Sequence, residues 1–272
     1  MPLVTITRSL GCEETDIAKS VAEQLNVRLY DDSALKKTAL EMGIRSEDLK
    51  SLDEKAPGYF DRILSRMPQL YLDFMEAVVY EVAHQGQGVI IGHGSQVLLR
   101  DFGCALHVFI HAPESTRIDN LVSRHGLSRV AAVKLIQKND NEHRGFFRYA
   151  YHMRMNDPSL YDLVINTEKM GSEATIKLIV EAARSEEIET CSLEAVDRME
   201  RLSRTKKVRA ALIESDINVS MLHIDVSEKD VVEIQGFAYT NDEKDRIVAA
   251  ANSIKGVSQV KTEIKVMPSA GD

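Results

Sequence analysis

The chain has 272 residues, of which 44% are hydrophobic and 28% charged, and its 42 acidic and 34 basic residues give a net charge of -8. This length and apolar content suffice for one large buried core and a second small domain. The acidic excess argues against nonspecific electrostatic binding of nucleic acid, so no nucleic-acid partner is expected. It still allows a local cationic pocket for a small phosphorylated ligand.

Three cysteines, Cys12, Cys104 and Cys191, are odd in number and far apart in the chain. They match neither a zinc-site spacing nor a disulfide framework, so we expect ordinary reduced thiols. No apolar run approaches the roughly 18 residues of a membrane span, so no transmembrane segment is expected. The N-terminus enters a strand pattern without a basic region and an apolar signal core, which predicts a cytoplasmic protein.

The first two thirds of the chain alternate strand and helix patterns. After the β-branched stretch "PLVTIT", Ile17, Val21 and Leu25 recur every four residues and mark the inner face of a helix. Such alternation predicts an α/β fold with a mostly parallel sheet covered by helices on both faces. The further strand patterns are "NVRLYDD", "GVIIGHG", "ALHVFIHA" and "YDLVINT".

Between these strands the helical patterns vary in length. One helix near "SALKKTALEMG" is expected to stop at Gly43, and residues 44–58 read as a helical turn and a loop. A long amphipathic helix is predicted from Tyr59 to His84, with a bend at Pro68. Two more helices are predicted at about 113–125 and 128–150, and another at "SEATIKLIVEAAR".

The amino-acid composition of the chain changes near Ser185. The segment "SEEIETCSLEAVDRMERLSRTKK" is highly charged and indicates a linker helix or a solvated connection. Beyond it, helix and strand patterns alternate over about 65 residues, which predicts a small α+β module. We therefore divide the chain into a nucleotide-binding domain at 1–185, a charged linker helix at 186–203 and a small binding domain at 204–268.

The loop "RSLGCEET" lies between the first strand and its helix, an arrangement that binds phosphate through backbone N–H groups and the helix dipole. The strict phosphate-loop pattern is G-x-x-x-x-G-K-[ST]. On this loop it places Arg8 and Glu13 at the two glycines, Glu14 at the lysine and Thr15 at the hydroxyl. Only Thr15 fits, so the strict pattern fails.

Four segments nevertheless resemble the cytidylate kinase-like family in their order and spacing, over about residues 3–184. The resemblance implies a P-loop nucleoside-monophosphate-kinase fold that binds ATP with Mg2+ over the loop and CMP or dCMP beside the region after "YDD". Its chemistry is mostly positioning and neutralisation of charge on the transferred phosphoryl group. The segments are "ITRSLGCEETDIAKSVAEQLNVRLYDD", "VIIGHGSQVLLRDFGCALHVFIHAPESTRI", "KNDNEHRGFFRYAY" and "DPSLYDLVINTEKMGSEATIKLI".

The resemblance also implies roles for individual residues. The segment "KNDNEHRGFFRYAY" resembles the family's arginine-bearing lid helix. Guanidinium groups suit phosphate oxygens, and Asp140 is expected to orient a lid arginine or a metal-bound water. For each residue the alternative is an ordinary structural role, such as a surface salt bridge or a helix N-cap. The implied sets are Arg8, Gly11, Cys12 and Thr15 for the cofactor, with Thr15 also on the metal; Asp31, Asp32 and His93 for the substrate; and Arg144, Arg148 and Asp140 for catalysis.

Two departures from the family pattern bear on activity. Where the family reads G-S-G-G, this chain has Gly11, Cys12, Glu13 and Glu14, so two carboxylates stand where the backbone meets phosphate. Alternatively, both glutamates point away and favour the helix dipole as first-turn residues. His93 replaces the arginine of the family's G-R-G, and a mostly neutral imidazole weakens a phosphate contact.

The last part of the chain, about 205–267, resembles a BON domain. The resemblance rests on "KKVRAALIES", "LHIDV" and "VVEIQGFAYTNDEKDRIVAAANSIKGVSQVKTEIKV", with Gly236 at a strand position where a side chain would crowd a neighbour. It implies a non-catalytic module that binds phospholipid, small ligands or protein partners. Lys206, Lys207 and Arg209 form a small basic patch at its start.

Three functions follow from these observations. The first is a degenerate kinase, or pseudokinase, that binds a nucleotide or phosphorylated ligand and passes that signal to partners through the BON module. The second is an active kinase that transfers the ATP γ-phosphoryl group to CMP or dCMP. The third is a non-catalytic scaffold.

Overall fold

A five-stranded parallel sheet forms the centre of the first domain. The computed structural model describes residues 3–12, 14–44, 68–188, 190–228 and 230–267. The strand order is β2-β3-β1-β4-β5. Each pair of neighbouring strands is parallel, which confirms the mostly parallel sheet that the sequence predicts. The strands are β1 (Leu3–Arg8), β2 (Leu29–Tyr30), β3 (Gly88–Ile91), β4 (Ala105–His111) and β5 (Leu163–Asn166).

Helices cover both faces of this sheet, which confirms the predicted fold class. Successive residues of a strand point to opposite faces, so Leu3 enters one hydrophobic core with Phe109 and Val4 enters the other with Leu106. The helices are α1 (Glu14–Leu25), α2 (Asp32–Glu41), α3 (Pro68–Ala83), α4 (Ser95–Leu98), α5 (Glu114–His125), α6 (Arg129–Tyr151) and α7 (Thr167–Ala183), with a 3-10 turn at Pro158–Leu160.

The helix predicted from Tyr59 with a bend at Pro68 is described from Pro68 onward, as α3. Proline is favoured in the first turn of a helix, because its missing N–H has no intrahelical partner there. The rest of that prediction, and the loop expected at 44–58 beyond Ile44, lie outside the described residues. Gly43 follows α2 at a φ of 89°, in agreement with the predicted stop.

A three-stranded sheet forms the second domain, in the order β6-β7-β8. Strands β6 (Leu222–Glu228) and β7 (Val231–Ala238) are antiparallel, and β8 (Gln259–Val266) runs parallel to β7. Helix α9 (Asn241–Asn252) packs on this sheet, and a 3-10 turn (Val219–Met221) precedes β6.

The glycine predicted to avoid crowding in this second domain does so. Gly236 has a φ of 139°, and a Cβ added there would overlap the carbonyl oxygen of Met221 and lie 3.1 Å from Leu222 Cα. An alanine at this position would therefore meet backbone, which cannot move aside as a flexible side chain can.

One continuous helix, α8 (Leu193–Glu214), crosses the proposed boundary at 203/204. Its Met199 and Ala210 belong to a core of the first domain, while Val208 and Leu212 belong to the core of the second. The charged segment is therefore helical from Leu193, but it is not a solvated connection. It packs along α3 and contributes to both domains.

The three basic residues that the sequence groups at the start of the second domain, Lys206, Lys207 and Arg209, pair with acids on α3. Lys206 lies 3.3 Å from Asp73 and 2.6 Å from Glu76, and Arg209 Nε lies 3.3 Å from Asp73. Asp73 is fully buried. The sequence expectation of a basic surface patch thus overlooked the acidic face of α3, which these cations cover.

The expectation that all cysteines are reduced thiols is wrong for two of them. Cys104 and Cys191 form a disulfide with a Cα–Cα distance of 4.9 Å. They are 87 residues apart, and only the folded chain brings the start of β4 next to the segment that precedes α8. Cys12 is buried and outside the disulfide.

Within the described residues, no helix combines the length and the apolar character that a membrane crossing needs.

Candidate functional site

The loop between β1 and α1 is held in place by α5. Gly11 has a φ of 91°, and a Cβ added to it would lie 2.8 Å from the carbonyl oxygen of Arg117. Its own carbonyl accepts a hydrogen bond from Asn120 Nδ2 at 2.8 Å. Cys12 is buried, and its N–H donates to the Ser9 carbonyl at 3.3 Å. Glycine is therefore required here by both its backbone conformation and the close approach of α5.

The residues that distinguish an intact phosphate cradle from a simple helix start lie partly outside the described structure. Glu13 is outside it, as are the side chains of Glu14 and Thr15. The direction of the two carboxylates and the proposed contact of the Thr15 hydroxyl with Mg2+ therefore remain sequence predictions. What the structure describes is the backbone of α1 from Glu14 onward and the loop as far as Cys12.

The turn after β3 places His93 against the start of α2. His93 has a φ of 56°, is almost fully buried, and its Nε2 lies 2.8 Å from Asp32 Oδ1. A positive φ is uncommon outside glycine, so the surrounding contacts must hold the residue in this conformation. Asp31 is the N-cap of α2 and accepts from the Ala34 N–H at 2.9 Å. The two predicted substrate aspartates thus differ: Asp31 caps a helix and Asp32 binds His93.

Helix α6 closes over this turn. A Cβ added to Gly94 would lie 2.6 Å from two ring carbons of Tyr151, near the end of α6. A small, partly open pocket lies here, with a volume of about 10 Å³, roughly what a single water molecule needs. Its walls come from the end of β1, the turn after β3 and α6, namely Thr7, Arg8, Gly92, His93, Gly94, His143 and Phe147.

Asp140 on α6 pairs with an arginine of α5. Arg117 Nη1 donates to Asp140 Oδ1 at 3.0 Å, and Nη2 donates to Oδ2 at 2.7 Å. Nη1 also donates to the carbonyl of Leu10 at 3.3 Å, in the loop after β1. Burial lowers the pKa of Arg117, but the hydrogen bonds and the charge of Asp140 outweigh it, so the pKa is raised and the side chain stays charged.

Arg144 and Arg148, the two arginines predicted on the lid helix, lie on α6 and are exposed. Arg144 donates from Nε to the carbonyl of Asp140 at 3.2 Å and from Nη2 to Asn141 Oδ1 at 2.5 Å, so it bonds to its own helix. Arg148 lies one turn further on and is also exposed. Their role toward a phosphate remains a prediction. Asp140, expected to orient a lid arginine or a metal-bound water, pairs with Arg117, and its role toward a ligand stays a prediction.

A family model with the description "cytidylate kinase-like family" matches residues 3–169, more than half of the chain. The chain belongs to the cytidylate kinase-like family. A second model, that of the BON domain, matches residues 203–268. The kinase-like domain and the small C-terminal domain described above therefore correspond to two known modules.

Relatives of this family member include proteins named cytidylate kinase. One from Ignicoccus hospitalis is 27% identical over 180 residues, which covers 66% of this chain and 97% of the relative. One from Aeropyrum pernix is 28% identical over 176 residues, covering 64% and 94% respectively. Among solved structures, an uncharacterized protein from Eubacterium ventriosum is similar with a TM-score of 0.53 and 20% identity, covering 67% of this chain and 97% of that one. That structural likeness shows the fold alone.

Arg117, Asn120 and Tyr151 are absent from the residue sets that the sequence predicts. Arg117 and Asn120 are one helical turn apart in "APESTRIDN", a spacing that places both on the face of α5 toward the loop. Tyr151 carried no signal, because its contact with Gly94 depends on where α6 ends. In this family member the loop, the turn at His93 and the lid helix thus form one closed cluster.

Proposed function

We propose that this protein is a cytidylate kinase-like protein with a degenerate phosphate loop, which binds a nucleotide or another phosphorylated ligand without efficient phosphoryl transfer. The observation that carries the proposal is the hydrogen bond between His93 and Asp32. Phosphoryl transfer needs cations that neutralise the developing charge. Here the residue at the family's arginine position is a buried histidine that contacts a carboxylate, which serves this purpose poorly.

Binding itself has support from the loop. Gly11 has no side chain that could block the approach of a phosphate to the loop backbone. The N-terminus of the 12-residue helix α1 provides N–H groups and the positive end of the helix dipole. If the ligand is ATP, its phosphates would be bound by Arg8, Gly11, Cys12 and Thr15. Mg2+ would bind to the Thr15 hydroxyl and to the phosphates, and it would supply neutralisation of charge.

The bound state would reach the BON module through three helices. Asp32 begins α2, α2 packs against α3, and α3 packs along α8, which contributes to the cores of both domains. Because residues of α8 belong to the cores of both domains, a shift of α2 on ligand binding would change the packing of the second domain. The BON module would then present this change to a protein, small-ligand or phospholipid partner.

A second function, an active nucleoside monophosphate kinase, is favoured by the relatives. Both relatives described above carry the name cytidylate kinase, and nearly their whole length is covered. In this alternative, Arg144 and Arg148 would contact the transferred phosphoryl group when α6 moves, and Asp31, Asp32 and His93 would contact CMP or dCMP.

A coupled assay with ATP and each of CMP, dCMP, UMP and AMP tests the proposal, together with melting of the protein in the presence of each nucleotide. We expect a higher melting temperature with at least one nucleotide and no turnover above the blank. Turnover that is lost in the R144A variant would support the active kinase instead. If the assay shows no turnover and no nucleotide raises the melting temperature, the scaffold function is supported.

A further inference from the structure

One guanidinium joins the lid helix to the loop after β1. Arg117 on α5 donates two hydrogen bonds to the carboxylate of Asp140 on α6, at 3.0 and 2.7 Å. The same side chain donates to the carbonyl of Leu10, next to Gly11. A movement of Asp140 away from Arg117 would therefore change α6 and the environment of the loop together.

Arg117 needs an anion at this position. Its side chain is only 7% exposed, and its charge persists because its pKa is raised. A buried charge without a compensating partner is strongly destabilising. Asp140 is 33% exposed, so it can be reached by solvent and can leave more easily than Arg117. If Asp140 leaves, another anion must replace it.

Phosphate is well suited to this replacement. Arginine binds carboxylate and phosphate in the same way, through two parallel N–H donors and two acceptor oxygens. The Asp140 carboxylate accepts one hydrogen bond from each terminal nitrogen of Arg117, and Nη1 also donates to the loop at Leu10. A ligand phosphate near Leu10 and Gly11 would be repelled by the Asp140 carboxylate, because both are negatively charged. This repulsion favours replacement of the carboxylate on Arg117 by the phosphate over simultaneous binding of both anions.

We propose that Asp140 is an internal substitute for a phosphate group of the ligand, so that Arg117 exchanges the carboxylate for the ligand and α6 is released from the loop in the same step. The inference rests on the proposed function, because it assumes a phosphorylated ligand at this loop. In this exchange, Arg117 is the first cation to contact the ligand. Arg144 is exposed and bonds to its own helix.

The same two helices provide a matched control. Asp119 on α5 and Arg129 on α6 form an ion pair at 2.7 Å, but both side chains are about two-thirds exposed, at 65% and 64%. An exposed pair of this kind contributes little to stability. The D119N variant therefore removes an α5–α6 ion pair without touching the loop.

The test compares the full-length wild type with the D140N, R117K and D119N variants, with MgATP and inorganic pyrophosphate as probes in calorimetric titrations. D140N should bind about tenfold more tightly than wild type, because the competing carboxylate is gone. Its melting temperature without ligand should nevertheless fall, because the bidentate pair is lost. R117K should bind more weakly, and D119N should match wild type in both measurements.

Opposite signs of affinity and stability in D140N distinguish exchange from simple positioning. If D140N melts lower and also binds no better than wild type, Asp140 merely orients Arg117 and the proposal is overturned. Absence of binding to both proteins would overturn it as well, together with the proposed function. Binding by D140N alone would support exchange while contradicting the proposed function of the wild type.

Hydrogen exchange of the wild type provides a second measurement if D140N does not fold. Amides around Asp140 in α6 should lose protection when pyrophosphate binds, while amides around Arg129 should not change. Increased protection around Asp140 would contradict the exchange.

Discussion

The imidazole of His93 contacts the carboxylate of Asp32 at 2.8 Å, and this hydrogen bond joins the turn after β3 to the first residue of α2. The side chain of His93 is 1% exposed and that of Asp32 is 18% exposed, so solvent competes little for the bond. The family-like G-x-G turn thus contains a histidine that contacts an acid at the position where the family resemblance places a phosphate-binding arginine.

Replacing Asp32 by alanine should therefore affect both stability and ligand affinity. The buried imidazole loses this acceptor, which should lower the free energy of unfolding by about 1–3 kcal/mol. We also expect several-fold weaker binding of a nucleoside monophosphate, because His93 is no longer held at the substrate side. Denaturant unfolding and calorimetric titration measure the two effects.

The D31A variant is the matched control. Asp31 caps α2, and loss of an N-cap costs about 1 kcal/mol. Its affinity for the nucleotide should fall less than that of D32A, because the Asp31 side chain is engaged by the Ala34 N–H and does not contact His93. Equal losses of affinity in D31A and D32A would show that both act only through the stability of α2.

Gly11 should not tolerate a side chain. Alanine at a φ of 91° is strained, and its Cβ would also meet the backbone of Arg117 at 2.8 Å. We expect G11A to lose more stability than G126A by about 1–3 kcal/mol, the usual cost of overpacking. Gly126 has a φ of 64° and open space around it, so its replacement isolates the cost of the backbone conformation. Equal effects in the two variants, measured by chemical denaturation, would mean that contact with α5 does not constrain the loop.

Asp73 should couple the two domains. It is fully buried and pairs with Lys206 and Arg209, so the D73A variant leaves two cations without this acid. We expect a loss of about 3–5 kcal/mol and two separate melting transitions in calorimetry, because removal of one partner from a buried pair is costly.

The control for this variant is E173Q, which removes an exposed ion pair with Lys177 on α7. Its unfolding free energy should change by less than about 1 kcal/mol. A single transition in D73A at the temperature of wild type would show that α8 does not depend on this contact.

The disulfide between Cys104 and Cys191 should anchor the segment that precedes α8. Thiol labelling of unfolded, unreduced protein should modify Cys12 and spare the other two cysteines. The C191S variant should lose about 2–4 kcal/mol of stability. Faster hydrogen exchange in the first turn of α8 is expected in the same variant.

Labelling of all three cysteines in protein isolated under oxidising conditions would contradict the bond. A reducing cytoplasm, the location that the sequence predicts, normally opens disulfides. Blocking of free thiols during cell lysis, followed by reduction and a second label, would therefore report whether the bond exists in the cell: the second label should appear on Cys104 and Cys191 and not on Cys12.

Local and periodic features were predicted well from the sequence. The alternation of strand and helix patterns predicts the parallel sheet, and the resemblance to a BON domain points to the crowding at Gly236. The helix-cap alternative holds for Asp31, since an N-cap depends only on the next three residues.

Long-range pairings could not be predicted in the same way. The contact of Arg117 with Asp140 depends on how α5 and α6 pack, and the bond between Cys104 and Cys191 depends on the path of the chain over 87 residues. The charge pattern of α8 suggested solvent exposure, because the acidic face of α3 that neutralises it lies more than a hundred residues earlier. A charge run indicates exposure only when no complementary surface folds against it.

Binding of a phosphorylated ligand without efficient phosphoryl transfer is the role that we propose for the kinase-like domain. Its most direct test is ADP formation from ATP and CMP or dCMP by the full chain, in samples whose melting temperature is measured with and without the nucleotides. We predict a raised melting temperature and no ADP above the blank. ADP formation that disappears in the R144A variant would contradict the claim.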